Sequence, residues 1–253
     1  MQEKSKQLRY VIWLSVVASL GGFLFGYDTA VISGTVDQVS SQFSLDDINK
    51  GWYVGCALVG SIAGVLFAGY LSDMFGRKIV MILSSVMFSV SAIGCMIAGG
   101  ISELVVARII GGVGIGVASV VSPLYIAEVS IPAYRGRLVS LYQLAITVGF
   151  LGAYLANFGL LEYSVSLLAG GSTSGLYGKI FASEVWRGML GMETIPALLF
   201  FIALFFIPES PRWLVVKKQE KRALTILDRI YGGKEAEVQV NNVKNLIAME
   251  TKT

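Results

Sequence analysis

Gly21-Gly22-Phe23-Leu24-Phe25-Gly26-Tyr27-Asp28-Thr29-Ala30-Val31-Ile32-Ser33-Gly34 places one carboxylate within an apolar run, Leu14 to Ile32, long enough to cross a membrane. A charge at that depth is expensive, so it marks a functional site with a partner to be found. The rest of the chain agrees with a bilayer setting. Hydrophobic residues make up 55% of the 253 residues and Asp, Glu, Lys and Arg only 15%, against a usual charged share of about 25%. So few charges do not cover the surface of a water-soluble domain of this size. The composition therefore reads as an all-α integral membrane protein.

Runs of about 20 apolar residues, the length that spans a hydrocarbon core, recur six times, at 10–34, 51–72, 79–99, 103–127, 138–161 and 188–207. Most cations fall on one side of this arrangement, among them Lys6, Arg9, Arg77, Lys78, Arg135, Arg137, Arg212, Lys217, Lys218, Lys221 and Arg222. Lys50, Lys179 and Arg187 fall on the other. The positive-inside rule then puts both termini in the cytoplasm. Trp13, Trp52, Trp186 and Trp213 fall at the predicted interfaces, as an aromatic belt would have them. Gly22/Gly26, Gly60/Gly64 and Gly112/Gly116 have the spacing that lets helix backbones approach closely in lipid. Gly111 to Gly116 is glycine-rich, but no Gly-x-Gly-x-x-Gly register fits it and it lies inside a span, which argues against a dinucleotide loop. After Ile207 the chain becomes charged and amphipathic. The expected division is a six-helix transmembrane domain, 1–207, and a cytoplasmic helical linker segment, 208–253. Lys217 to Arg222 reads either as a solvated helix face or as a contact for anionic headgroups.

Helix geometry supplies candidate partners for Asp28. At about 1.5 Å of rise per residue, Asp28 lies about 27 Å along span 1 from Tyr10, in the outer half of the membrane. Arg108 lies about 8 Å below the outer end of span 4, and Glu193 about 9 Å below that of span 6. Three charges on three helices thus come out at similar depth. An arginine between two carboxylates offsets the desolvation of all three. Physics alone leaves two readings: a static bridge that fixes helix packing, or a proton site in which Asp28 takes H⁺ and releases Arg108.

Other chemistry is poorly represented. His is absent, Cys56 and Cys95 lie apart in apolar runs, and no metal-ligand cluster or nucleophile–base pair is visible. We therefore expect no enzyme activity, no metal, no cofactor and no nucleic-acid partner.

Several motifs together resemble the sugar porter family of the major facilitator superfamily, its proton-coupled xylose-type branch nearest. Gly69-Tyr70-Leu71-Ser72-Asp73-Met74-Phe75-Gly76-Arg77-Lys78 is similar to the superfamily's loop between spans 2 and 3. Pro123-Leu124-Tyr125-Ile126-Ala127-Glu128 with Arg135-Gly136-Arg137 resembles the family signature after span 4, and Pro208-Glu209-Ser210-Pro211-Arg212-Trp213-Leu214 the one after span 6. The resemblance implies half of a major facilitator fold, with the six helices as a 3+3 inverted repeat. It implies proton-coupled symport of a pentose or hexose by alternating access across the cytoplasmic (inner) membrane. Asp28, Arg108 and Glu193 would be the proton-coupling cluster, and Phe25 and Gln143 sugar contacts. Asp73, Arg77, Glu128, Arg135, Glu209 and Arg212 would form a cytoplasmic gate of ion pairs. The family's xylose-type pattern has a second glutamine where this chain has Phe150.

The family builds a transporter from two six-helix halves, and this chain matches one. The implied partners are a monosaccharide, H⁺, the bilayer and a C-terminal six-helix half, from the same gene product or a second chain. A half-transporter needing another chain and a non-transporting membrane scaffold or sensor remain alternatives.

Overall fold

The computed structural model describes residues 2–170 and 175–250, with side chains described for 5–170 and 175–245. Five spans are unbroken helices: α1 (Gln2–Gln42), α2 (Asp47–Phe75), α3 (Arg77–Ile97), α4 (Ile101–Val129) and α5 (Arg135–Ala169). The sixth, Val185–Phe205, follows the short α6 (Gly175–Gly178) and a π-helical turn at Lys179–Ser183. It consists of α7 (Val185–Gly191) and α8 (Thr194–Phe205), interrupted at Met192 and Glu193. Pro196 accounts for the interruption: it has no N–H to donate, and its ring collides with the carbonyl four residues back. The chain there tightens, Ile195 N donating to Met192 O at 3.2 Å, before the helical ladder resumes from Ala197 N to Glu193 O at 3.1 Å.

The helices run beyond the six predicted apolar runs at most ends. α5, with 35 residues, is about 52 Å long, whereas a hydrocarbon core is about 30 Å thick. Apolar composition marks only the part in lipid, and the backbone stays helical as it enters the polar layer. After span 6 come α9 (Pro211–Val216), α10 (Glu220–Tyr231) and α11 (Gly233–Glu250). Ala223, Leu227 and Ile230 bury the apolar face of α10, as their spacing predicts, while Leu224 stays partly exposed. Residues 251–253 of the expected linker lie outside the described residues.

The 3+3 inverted repeat is visible in helix contacts at residue resolution. A Cβ added to Gly26 of α1 would lie 2.0 Å from Ile146 O of α5, and one added to Gly116 of α4 would lie 2.1 Å from Ser61 O of α2. Reciprocally, a Cβ on Gly149 of α5 would meet Phe23 O at 2.2 Å, and one on Gly64 of α2 would meet Val113 O at 2.3 Å. Only glycine permits backbones this close, and such contacts drive helix association in lipid. Adding 90 carries Phe23 and Gly26 onto Val113 and Gly116, and adding 85 carries Ser61 and Gly64 onto Ile146 and Gly149. The α1–α5 and α4–α2 pairs are therefore one packing unit used twice. The charges do not follow it: the repeat-related positions of Asp28 and Arg108 are Ala118 and Ala18.

One expectation of the aromatic belt fails. Trp13 and Trp52 are about half exposed, but Trp186 is buried. Its indole N–H donates to Gln42 Oε1 at 2.7 Å, and Arg187 stacks on its ring at 4.3 Å. Arg187, read as an outer-surface cation, is itself buried. It bonds Glu184 and donates to the carbonyls of Met96 and Ala98 at the end of α3. These residues join α1, α3 and α7 at the end of the bundle opposite the basic one.

Candidate functional site

Arg108 and Asp28 meet inside the bundle, Nη2 to Oδ2 at 3.4 Å, with side chains 3% and 5% exposed. The contact is long for a charge-assisted bond, usually about 2.7–2.9 Å. Arg108 Nε has no partner among the described residues. Glu193, also buried, lies at the break between α7 and α8, close enough to both groups to interact with them electrostatically. Its Oε1 has no partner among the described residues. Depth arithmetic had aligned these three charges, and the structure brings them together. The cluster is only partly satisfied: one guanidinium faces two carboxyl groups, and two of its buried polar atoms have no bond among the described residues.

The two residues proposed to contact sugar lie on the α1–α5 pair. Gln143 is exposed, and its side-chain amide bonds to nothing among the described residues, while Phe25 is partly buried. The tight α1–α5 contacts bracket them: a Cβ on Gly22 would lie 2.8 Å from Tyr142 O, next to Gln143, and Gly26 follows Phe25. Phe25 precedes Asp28 by one helical turn, and Thr29 Oγ1 bonds Phe25 O at 2.8 Å. Phe150, two turns beyond Gln143 on α5, packs against both core clusters of the bundle.

The residues expected to form a gate gather at the basic end. Arg77 Nε and Nη2 donate to Glu128 Oε2 and Oε1 at 3.0 and 3.1 Å. Arg77 also reaches Ser72 O and Asp73 Oδ1, both at 3.0 Å. The Arg77 and Glu128 side chains are 9% and 4% exposed. This pair is therefore enclosed, whereas Asp73 is 73% exposed. Glu209 acts on backbone. It accepts from Arg77 N at 2.9 Å and Lys78 N at 3.1 Å, closing the N-terminus of α3, where unpaired N–H groups and the helix dipole favour an anion. Gly76 makes room for it: with φ at +101°, a Cβ there would lie within 2.3 Å of Glu209 Oε2. Burial pushes the Glu209 carboxyl above the usual range, and the N–H bonds and the Arg77 charge work against that. Arg135 and Arg212 are exposed and line a cavity of about 280 Å³ with Glu128.

Two participants escaped the sequence reading. Ser210 bonds Glu128 Oε2 and caps α9 by accepting from Trp213 N. The Ser-Pro start of that helix is a recognisable cap signal. Tyr53 lies under Arg108 with its hydroxyl on Thr35, and no motif announces it.

Residues 14–253 match the family model described as "Sugar (and other) transporter". The chain belongs to the sugar transporter family. Among its relatives, a glucose transport protein of Synechocystis is 40% identical over 250 residues, 99% of this chain and 52% of that one. An arabinose-proton symporter of Bacillus subtilis is 38% identical, covering 98% and 51%. A D-xylose-proton symporter of Escherichia coli is 37% identical, covering 96% and 52%. In structure, the major facilitator superfamily proton:xylose symporter XylE, solved with 6-bromo-6-deoxy-D-glucose, superposes with a TM-score of 0.87 at 36% identity. That match covers 98% of this chain and 55% of XylE. The sugar transporter chain described here thus spans about half the length of these relatives. It is a multi-pass membrane protein with the fold of one six-helix half, and its relatives are transport proteins.

Proposed function

We propose that this chain is the N-terminal half of a proton-coupled sugar symporter, working with a C-terminal six-helix half from the same gene product or a second chain. The carrying observation is the buried cluster in which one arginine faces two carboxyl groups. Two carboxylates and one guanidinium leave an excess negative charge in a low-dielectric site, and a single proton restores neutrality. Asp28 is the group that takes it, which loosens the already long bond to Arg108.

The route to the sugar is mechanical. Asp28 is one turn from Phe25, and α1 bears directly on the α5 backbone on either side of Gln143. A change in α1 at Asp28 therefore displaces the aromatic face and the amide together. A neutral amide donor–acceptor and an aromatic ring suit a polyhydroxylated neutral ligand, a pentose or hexose. The basic end lies in the cytoplasm, so both termini do, in an inner membrane, with the six spans as one domain and residues from 208 onward as the helical linker. There Asp73, Arg77, Glu128, Arg135, Glu209 and Arg212 form the inner gate against the second half.

Reconstituted with a C-terminal half in proteoliposomes, the protein is expected to take up protons from a weakly buffered medium when a pentose or hexose is added, seen as external alkalinisation. Asp28→Asn abolishes that signal and leaves sugar exchange. Proton uptake that survives Asp28→Asn would overturn the assignment of Asp28.

A further inference from the structure

Beside its two carboxyl neighbours, Arg108 has an aromatic one that charge-based reading overlooks. Tyr53 of α2 is fully buried, and the Arg108 Cζ sits 5.9 Å from the centroid of its ring. The ring is tethered: Tyr53 OH and Thr35 Oγ1 are 2.8 Å apart. Thr35, also fully buried, bonds Ile32 O at 3.0 Å. The threonine has one proton and directs it to Ile32, so the tyrosine is the donor to Thr35. Thr35 lies two helical turns beyond Asp28 on α1. The helix that supplies the carboxylate to Arg108 therefore also fixes the aromatic face beside it.

We propose that Tyr53 is a positioning residue of the charge cluster: its ring holds the Arg108 guanidinium in place when Asp28 is neutral. In the charged state the guanidinium is shared between the ring and a carboxylate at 3.4 Å. Once Asp28 carries a proton, the attractions left for Arg108 are this aromatic face and Glu193 of the interrupted sixth span. Cation–π attraction is strongest in desolvated sites such as this one. Cys56, one turn along α2, and Cys95 of α3 also lie near Arg108 and bring no formal charge. The ring thus keeps Arg108 near Asp28, ready to re-pair when the proton leaves. The inference rests on the reading of Asp28 as the protonated group, but its test does not require transport.

Asp28→Asn imitates the neutral carboxyl. The experiment is a double-mutant cycle on the full chain purified in detergent, read by thermal unfolding. Tyr53→Leu is expected to lower Tm by roughly 2–6 °C more in the Asp28→Asn background than in the parent. Tyr53→Phe keeps the ring and gives the same small loss in both backgrounds. Should Tyr53→Leu fail to fold beside native Asp28, Tyr53→Met takes its place in the cycle. Equal losses from the ring-removing variant in both backgrounds would show that Tyr53 only fills space, and would overturn the proposal. That outcome leaves the proteoliposome result untouched, and the loss of the Asp28 assignment there leaves this cycle readable.

Discussion

The two charge clusters of this chain are built to opposite specifications. At the basic end, Arg77 is held by both Glu128 oxygens, the Ser72 carbonyl and Asp73, and Glu209 sits on two N–H groups of α3. In the membrane, Arg108 has one long contact to Asp28, an Nε without a bond among the described residues, and a second carboxyl nearby with one oxygen likewise unbonded among them. The central pair of each, Arg77–Glu128 and Arg108–Asp28, is buried, so burial alone does not separate them. The difference is in satisfaction. A saturated network has one arrangement, and moving any member leaves a buried group without a partner. An under-bonded cluster has several arrangements of similar energy, which a proton or a helix displacement can select among.

The sharpest way to break this contrast is to remove one cation from the basic end. Arg77→Ala removes the two-bond guanidinium partner of the buried Glu128, and removing one partner of a buried pair costs about 3–5 kcal/mol. The expected result is a large fall in the thermal stability and monodisperse yield of the chain in detergent. Asp28→Asn is expected to cost much less in the same assay, because it leaves one guanidinium facing one carboxyl. Equal losses from the two substitutions would remove the distinction between a locked and a poised cluster.

The poised cluster was the more legible of the two. Asp28 and Arg108 are single charges in apolar runs, so their cost announces them, and helix rise alone aligned them with Glu193. The break that presents Glu193 was legible as well, through Pro196, though the sequence reading passed over it. Tyr53 and Thr35 were not, since a neutral hydroxyl pair across two helices leaves no imprint on composition or period. At the basic end the motifs identified the participants but not their partners. Glu209 was expected to pair with a side chain, and it closes a helix N-terminus instead, because backbone N–H groups carry no sequence signal. Trp186 and Arg187 lie at the end opposite the basic one, as read, but are buried there rather than exposed, for a related reason. Hydropathy registers a residue near a span end but not that Gln42 and the carbonyls of Met96 and Ala98, at the end of α3, are there to bury it. The glycine spacing did forecast close helix contacts. That those contacts repeat in register between α1–α5 and α4–α2 emerged only from the carbonyls they meet.

A smaller perturbation sharpens the comparison from within the basic end. The Ser210 hydroxyl donates to Glu128 and accepts from Trp213 N at the start of α9. Ser210→Ala removes a helix cap, worth about 1 kcal/mol, and one of the bonds to a buried carboxylate. Ser210→Thr retains both bonds. We expect the alanine variant to lose a few degrees of Tm and the threonine variant to recover most of that loss. No difference between the two would mean that the network is less saturated than its geometry implies.

The mildest test uses pH. Burial holds the Glu209 carboxyl above its ordinary range despite the N–H bonds that oppose it. A carboxyl whose folded pKa is raised binds its proton more tightly in the folded state than in the unfolded one. The stability it contributes is then fully present below the ordinary glutamate range and is lost as pH rises through the raised value. Relative to Glu209→Gln, which does not titrate, the parent chain should therefore gain stability as pH falls from neutral toward the ordinary glutamate range. Thermal unfolding of both proteins across that interval measures the difference. A difference that shrinks with acidification would mean that the α3 N–H groups and Arg77 outweigh burial. Glu209 would then favour its charged form, like any exposed helix cap, and the basic end would owe less to its enclosure than to its hydrogen bonds.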